Sequence, residues 1–502
     1  MGFKSTAAKI LSEINFKKEQ KWIHHPLETQ QMIFQHLIHI GRQTKFGKDH
    51  DFKAIKNYED FKKRVPVRDY EGLKPYIEKI QSGENDVLWK GKPVYFAKTS
   101  GTTSGTKYIP ITKDSIPTHI RSARNALLDY IHQKGKADFV SGKMIFLQGS
   151  PVLELENGIK TGRLSGIVAH FVPKYLQKNR MPSWETNCIE DWETKVDKIV
   201  QETMKEDMTL ISGIPPWLIM YFEKLIEKSG KRYIKEIFPN LQLLVTGGVN
   251  YNPYRKKMIE LIGEDFDVVQ TYPASEGFFA YQDDLNSDDL LLLLDNGIFY
   301  EFIAADAFFE ENPQRIELSE VEMDKDYVLI LNTTAGLWGY NLGDTVRFTS
   351  LNPYRILVSG RIKHFTSAFG EHVIAHEVEQ ALQRTLEQFP AKVSEFTIAP
   401  QVNPKTGLPY HEWLIEFAET PKDLEAFSSE LDKHLRKLNS YYDDLISGNI
   451  LRPLIITCVK SGGFNDYMKS QGKLGGQNKT ARLSNDRKIV DKFYDFGLLI
   501  NS

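Results

Sequence analysis

The chain has 502 residues, 41% hydrophobic and 26% charged, and its 64 basic and 66 acidic side chains leave a formal charge of −2. That length calls for more than one domain and a large core, and the even charge argues against nucleic acid or a membrane surface as a partner. Two cysteines, Cys188 and Cys458, exclude a disulfide framework and fit a reducing, cytoplasmic setting, and no apolar run approaches the ~18 residues of a membrane span.

Taken in chain order, the first 90 or so residues read as mostly helical: "HPLETQQMIFQHLIHIGRQT" has apolar residues at helical spacing and stops at a glycine. From Val94 short β-like runs alternate with helices. The strands are predicted at "PVYFAKT", "KMIFLQGS", "LQLLVTGG", "FDVVQTY", "DYVLILNT", "DTVRFTS" and "YRILVSG". "DLLLLLDNGIFYEFI" predicts a hairpin turning at Asp295-Asn296-Gly297. Helices are predicted at "IEDWETKVDKIVQETMKE" and, after Asn252-Pro253, at "PYRKKMIELIG". This is α/β organisation. Beyond Gly360 the character changes to a compact α+β unit. It comprises a helix at "HEVEQALQRTLEQF", a strand pair at "VSEFTIAP" and "HEWLIEFAE", one long amphipathic helix at "PKDLEAFSSELDKHLRKLNSYYDDLIS" and a last strand at "LRPLIITCVK". The expected domains are therefore 1–360 and 361–502.

Familiar chemistry is missing. No two of the 34 glycines stand as Gly-x-Gly, which removes the dinucleotide fingerprint and the kinase glycine loop, and no Gly-Lys pair has the upstream glycine of a Walker loop. What remains is a set of polar loops. "KTSGTTSGTKYIP", Lys98 to Pro110, offers the hydroxyls of Thr99, Ser100, Thr102 and Thr103, turns at Gly101 and Gly105, and the charge of Lys107, which together suit a polyphosphate. "TYPASEGFF" places Glu276 beside Ser275 and Tyr272: a carboxylate for a hard cation such as Mg²⁺ and a flat ring for a base. In "YNLGDTVRF", Asp344 follows a glycine and can accept hydrogen bonds from both hydroxyls of a ribose. Arg361 stands on the inferred boundary in "SGRIKHF", and "QGKLGGQNKTARLSNDR" closes the series.

The order of these loops resembles the adenylate-forming superfamily of acyl-CoA synthetases, luciferases and peptide-synthetase adenylation domains. More closely, "TKFGKDHDF", "VPVRDYEGLKPYI", "GENDVLWKGKP", "LISGIPPWL", "TYPASEG", "GYNLGD" and "GGQNKTARLSNDR" resemble the auxin-responsive Gretchen Hagen family of acyl acid amido synthetases and its bacterial relatives. The resemblance implies a large N-terminal domain of β-sheets, a β-barrel and helices carrying ATP and acyl sites, and a small C-terminal lid that rotates about the hinge. It implies phosphate contacts from Thr99 to Thr103, adenine between Gly247-Gly248 and Tyr272, Mg²⁺ on Glu276, ribose on Asp344, and Lys479 as the lid lysine for adenylation. The reaction implied joins a small carboxylic acid to an amino acid through an acyl-adenylate, at the expense of ATP. Transfer to a thiol such as coenzyme A, or nucleotide and acyl-acid binding without turnover, stand as alternatives. An acyl pocket is expected at "GRLSGIVAHFVP", which contains Val168, with Trp217 and Phe278 as walls. Two departures stand out: Asn341 follows Tyr340 where the family often has Arg, and His372 stands where many plant members have a second lid lysine.

Overall fold

A computed structural model describes residues 3–102, 105–172, 177–249, 251–362, 365–366, 368–371, 373–470 and 482–500. The chain divides into two compact units: Met1–Thr99, Thr106–Tyr251 and Lys256–Ile362 form one, and Ser100–Gly105, Asn252–Arg255 and Lys363–Ser502 form the other. No helix among the described residues is long and apolar enough to cross a membrane.

The larger unit opens on helices Phe3–Ile23, Pro26–Gly41, Tyr58–Arg64 and Tyr70–Gln81. Their starts are written in the sequence: Pro26 occupies a first turn, and the side chains of Asn57 and Asp69 accept hydrogen bonds from the backbone N–H groups of Asp60 and Gly72. Phe34 and Phe61 of these helices join Phe46 and Phe52 of the short turns between them in one core with Trp338, whose ring meets Phe52 edge-on at 4.9 Å and whose indole N–H donates to the Leu88 carbonyl at 2.9 Å.

Against that core lies a mixed sheet of twelve strands. From one edge they begin at Arg315, Ile298, Asp326, Tyr340, Tyr354, Leu290, Gly277, Val268, Leu243, Met208, Lys143 and Arg180. Pairing is parallel from the Arg180 edge as far as Val268–Ala274, then antiparallel from there to Arg315. The parallel strands gather small-residue loops at their carboxyl ends, where open α/β sheets hold ligands. A second sheet contains the hairpin strands Tyr95–Thr102 and Gly105–Ile111.

Two expectations are corrected. Strands Leu290–Leu292 and Ile298–Ala304 do not form a hairpin: the first pairs with Gly277–Tyr281 and Tyr354–Arg361, the second with Arg315–Ile316 and Asp326–Thr333. Gly297 does turn, with φ +71, but Asn296 is pinned elsewhere, donating to Ser122 Oγ and to the Phe278 carbonyl, both at 2.8 Å. Those bonds hold the turn to other elements and send its two arms to different places in the sheet.

In the smaller unit, strands Lys392–Gln401 and Tyr410–Glu419 pair antiparallel, and Ile455–Val459 adds in parallel. Phe464, Tyr467, Val490 and Phe493 pack on Leu414 and Val459. The expected single long helix is two, Leu424–Leu438 and Ser440–Ser447. Buried Asn439 causes the break: its Oδ1 caps the second helix by accepting from Tyr442 N–H at 2.8 Å, and its Nδ2 donates to Glu377 at 2.9 Å.

Candidate active site

Strand Val268–Ala274 turns directly into Gly277–Tyr281, with Ala274 opposite Gly277, so Ser275 and Glu276 form the tip of a tight hairpin. The Glu276 carboxylate is 8% exposed and accepts a hydrogen bond from the Tyr340 hydroxyl at 3.1 Å. Tyr340 opens strand Tyr340–Leu351 and is itself buried. Burial, reinforced by the adjacent Glu276 charge, pushes its phenol far above the usual range, so it keeps its proton and serves as a fixed donor.

The same strand carries Asp344 on a bulge. Val328 on the neighbouring strand pairs with Thr345, while Ile330 pairs with Asn341, so residues 342–344 stand opposite Leu329 alone and two of them are extra. Gly343 supplies the left-handed step, with φ +92, and Asn341 Oδ1 accepts from its N–H at 2.8 Å. Asn341 thus shapes the bulge locally instead of offering the cation its family counterpart would. The bulge aims Asp344 at Tyr272, whose hydroxyl donates to Oδ2 at 2.5 Å. Tyr272 is 9% exposed and Asp344 4%, and the Tyr272 ring meets Phe279 edge-on at 5.0 Å.

Gly247 ends strand Leu243–Gly247 opposite Thr271. A Cβ there would lie 2.6 Å from Thr271 Oγ1 and 2.7 Å from the Thr271 carbonyl, so the two strands approach closely beside Tyr272. Gly248 follows at φ +83. Three strands therefore bring Tyr272, Glu276, Tyr340 and Asp344 together, with Gly247 alongside.

The other expected residues stand as follows. Thr99, Ser100, Gly101 and Thr102 belong to strand Tyr95–Thr102 and Lys107 to strand Gly105–Ile111, so the described part of the segment is extended. Thr103 lies outside the described residues, as do the side chains of Ser100, Gly101, Thr102 and Arg361. The Lys107 ammonium sits 6.0 Å from the centre of the Tyr70 ring, and the Tyr70 hydroxyl accepts the Tyr108 N–H at 2.9 Å, which ties this hairpin arm to helix Tyr70–Gln81. Lys98 instead pairs with Glu154 and Glu156. Val168 and Trp217 are partly exposed on helices Leu164–Ala169 and Pro215–Ser229, and Phe278 is a core side chain. Lys479 and His372 lie outside the described residues. The hydroxyl-bearing partners Tyr340 and Tyr70 had no role assigned from sequence; the first lies inside "YNLGD" itself, and the second inside "VPVRDY".

The donor set suits a hard cation carried in with phosphate. Among the described residues no group of three or more His, Cys, Asp or Glu side chains could hold a metal by itself. Glu276 offers a single carboxylate, and Mg²⁺ is commonly held by one or two carboxylates together with substrate phosphates.

Three family models match the chain: the GH3 family N-terminal domain over residues 16–186, the central domain over 291–361 and the C-terminal domain over 376–488. The indole-3-acetic acid-amido synthetase GH3.3 of Arabidopsis thaliana is 23% identical, over 92% of this chain and 90% of that protein. The jasmonoyl–L-amino acid synthetase JAR4 of Nicotiana attenuata is 21% identical, over 63% and 66%. Among solved structures, the AtGH3.15 acyl acid amido synthetase in complex with 2,4-DB shares the fold with a TM-score of 0.62 at 16% identity, covering 98% of this chain and 96% of that one. A 2-hydroxyisobutyryl-CoA ligase shares it with a TM-score of 0.57 at 14% identity, over 96% and 92%. By these matches, which span all three parts of the family's architecture, the chain belongs to the GH3 family of acyl acid amido synthetases.

Proposed function

We propose that the chain is an ATP-dependent ligase that activates a carboxylic acid as its acyl-adenylate and passes the acyl group to an amino acid, forming an amide. The observation that carries this reading is the convergence of Glu276 and Asp344, each on a buried phenol, in a chain of the GH3 family. A carboxylate is a poor electrophile, because attack adds negative charge to an anion. In the first step a carboxylate oxygen bonds to the α-phosphorus of ATP, the bond from that phosphorus to the bridging oxygen breaks, and pyrophosphate leaves. In the second, the amine nitrogen bonds to the acyl carbon, AMP leaves, and the nitrogen sheds its proton.

The protein's task is positioning and charge compensation, with no covalent bond to a side chain. Asp344 accepts from the ribose hydroxyls, and Gly247, Gly248 and Tyr272 border the base. The hydroxyls of Thr99, Ser100, Thr102 and Thr103, with Ser275, Lys107 and Arg361, line the triphosphate. Mg²⁺, with Glu276 as its protein carboxylate, would neutralise charge on the phosphate oxygens. Lys479, from a lid formed by residues 361–502, compensates the α-phosphate, and rotation of that lid separates the steps and excludes water from the adenylate. Val168, Trp217 and Phe278 border the acyl group. Incubation with ATP, pooled carboxylic acids and pooled amino acids should give AMP, pyrophosphate and an amide by mass spectrometry. Product with coenzyme A and none with any amino acid would replace this acceptor, and no pyrophosphate exchange with any acid would remove the activity.

A further inference from the structure

The two carboxylates assigned to ATP share a feature that the loop motifs do not contain. Each is held by a buried tyrosine hydroxyl from another strand: Tyr340 to Glu276 at 3.1 Å, and Tyr272 to Asp344 at 2.5 Å. The directions cross. Tyr340 stands four residues before Asp344 and serves the hairpin acid, while Tyr272 stands four residues before Glu276 and serves the bulge acid. Hydrogen bonds to an ionised group are strong and directional, so each phenol can fix the rotamer of the carboxylate it meets.

We infer that Tyr340 and Tyr272 are positioning residues with separate duties: Tyr340 orients the metal carboxylate, and Tyr272 orients the ribose carboxylate and so sets the preference for a ribonucleotide. The inference rests on the functional reading above. It extends the role of Tyr272 beyond a wall for the base, and it gives Tyr340 a task.

Phenylalanine removes each hydroxyl and keeps the ring. With Mn²⁺ and α,β-methylene-ATP as probes, electron paramagnetic resonance should show Tyr340→Phe weakening Mn²⁺ binding by about 10-fold or more, as supporting residues of metal ligands do. The same variant should keep the wild-type preference for ATP over 2′-deoxy-ATP in calorimetry. Tyr272→Phe should do the reverse, cutting that preference by roughly 10-fold while Mn²⁺ affinity stays within about twofold. A merely structural role would move both readouts together in both variants, and that outcome, or no movement in either, overturns the inference. If Tyr340→Phe lowers the melting temperature, its combination with Glu276→Gln decides: orientation through Glu276 predicts that the Tyr340→Phe effect on Mn²⁺ vanishes in that background, and an undiminished effect overturns it. Wild-type protein that binds neither probe would instead undo the functional reading.

Discussion

Two places in the larger unit join buried carboxylates to buried phenols, and they do so differently. In the candidate active site the acids sit on backbone irregularities, Glu276 on a hairpin tip and Asp344 on a bulge. Under the first helix, Glu19 accepts from Tyr281 at 2.5 Å and from Asn125 at 2.6 Å, Asp129 accepts from Gln133, and Arg355 holds Asp283 with two bonds of 2.9 and 2.6 Å. In the second cluster Glu19 and Asp129 project from regular helices, and Asp283 follows the end of strand Gly277–Tyr281. Burial pushes the carboxyls of Glu19, Asp129 and Asp283 upward, Asp129 to about 7. A buried acid with a tyrosine is therefore not in itself a functional sign; what separates the two is whether the backbone is bent to aim the acid.

That contrast can be broken most directly by making the same chemical change on each side. Glu276→Gln should lower ATP–pyrophosphate exchange by roughly 10²–10³-fold, whereas Asp129→Asn should leave it within about threefold. Equal losses would erase the distinction. Lys479→Ala tests the lysine proposed for adenylation: exchange should fall by roughly 10²-fold, and a rate near wild type would remove that lysine from the step. Asp344→Asn is expected to be milder, raising the KM for ATP by about 10-fold with less change in kcat, because the proposed ribose contact would serve ground and transition states alike. A fall in kcat at constant KM would give Asp344 another task.

The smallest effect sharpens the other side. An unfolded Asp titrates near about 3.9, so at intermediate pH native Asp129 holds a proton that the unfolded chain has shed. The stability this contributes is full below pH ~4 and is lost as the pH rises through about 7. Asp129→Asn should therefore raise the melting temperature at pH 8, by about 2–4 °C if the partly exposed group yields ~1 kcal/mol, and the gain should shrink toward pH 4. A gain that is constant with pH would place its cause outside this carboxyl.

Much of this was legible in the sequence, for definite reasons. Apolar runs between turn residues mark Leu243–Gly247, Val268–Ala274 and Asp326–Thr333, and the polar motifs "TYPASEGFF" and "YNLGDTVRF" single out Glu276 and Asp344. The pairing of Tyr272 with Asp344 and of Tyr340 with Glu276 was not legible, because partners 72 and 64 residues apart meet through sheet order and not through local pattern. The same cause defeated the Asp295-Asn296-Gly297 hairpin: its turn geometry is sound, and the bonds from Asn296 to Ser122 and Phe278 decide where its arms go. In the smaller unit, periodicity ran straight through Asn439, whose capping bond to Tyr442 cuts the helix without interrupting its apolar spacing.

Gly343 carries one more consequence. Among the described residues no atom beyond its chain neighbours lies within 4 Å of the place a Cβ would take there, so a methyl group has room. What it lacks is a comfortable torsion, since φ is +92; an L-residue pays on the order of 1–2 kcal/mol for such a backbone. Replacement at this position is then first a question of handedness: asparagine should be the gentlest exchange and valine among the harshest. The bulge that carries Asp344 hangs in part on the mirror-image freedom of one achiral carbon.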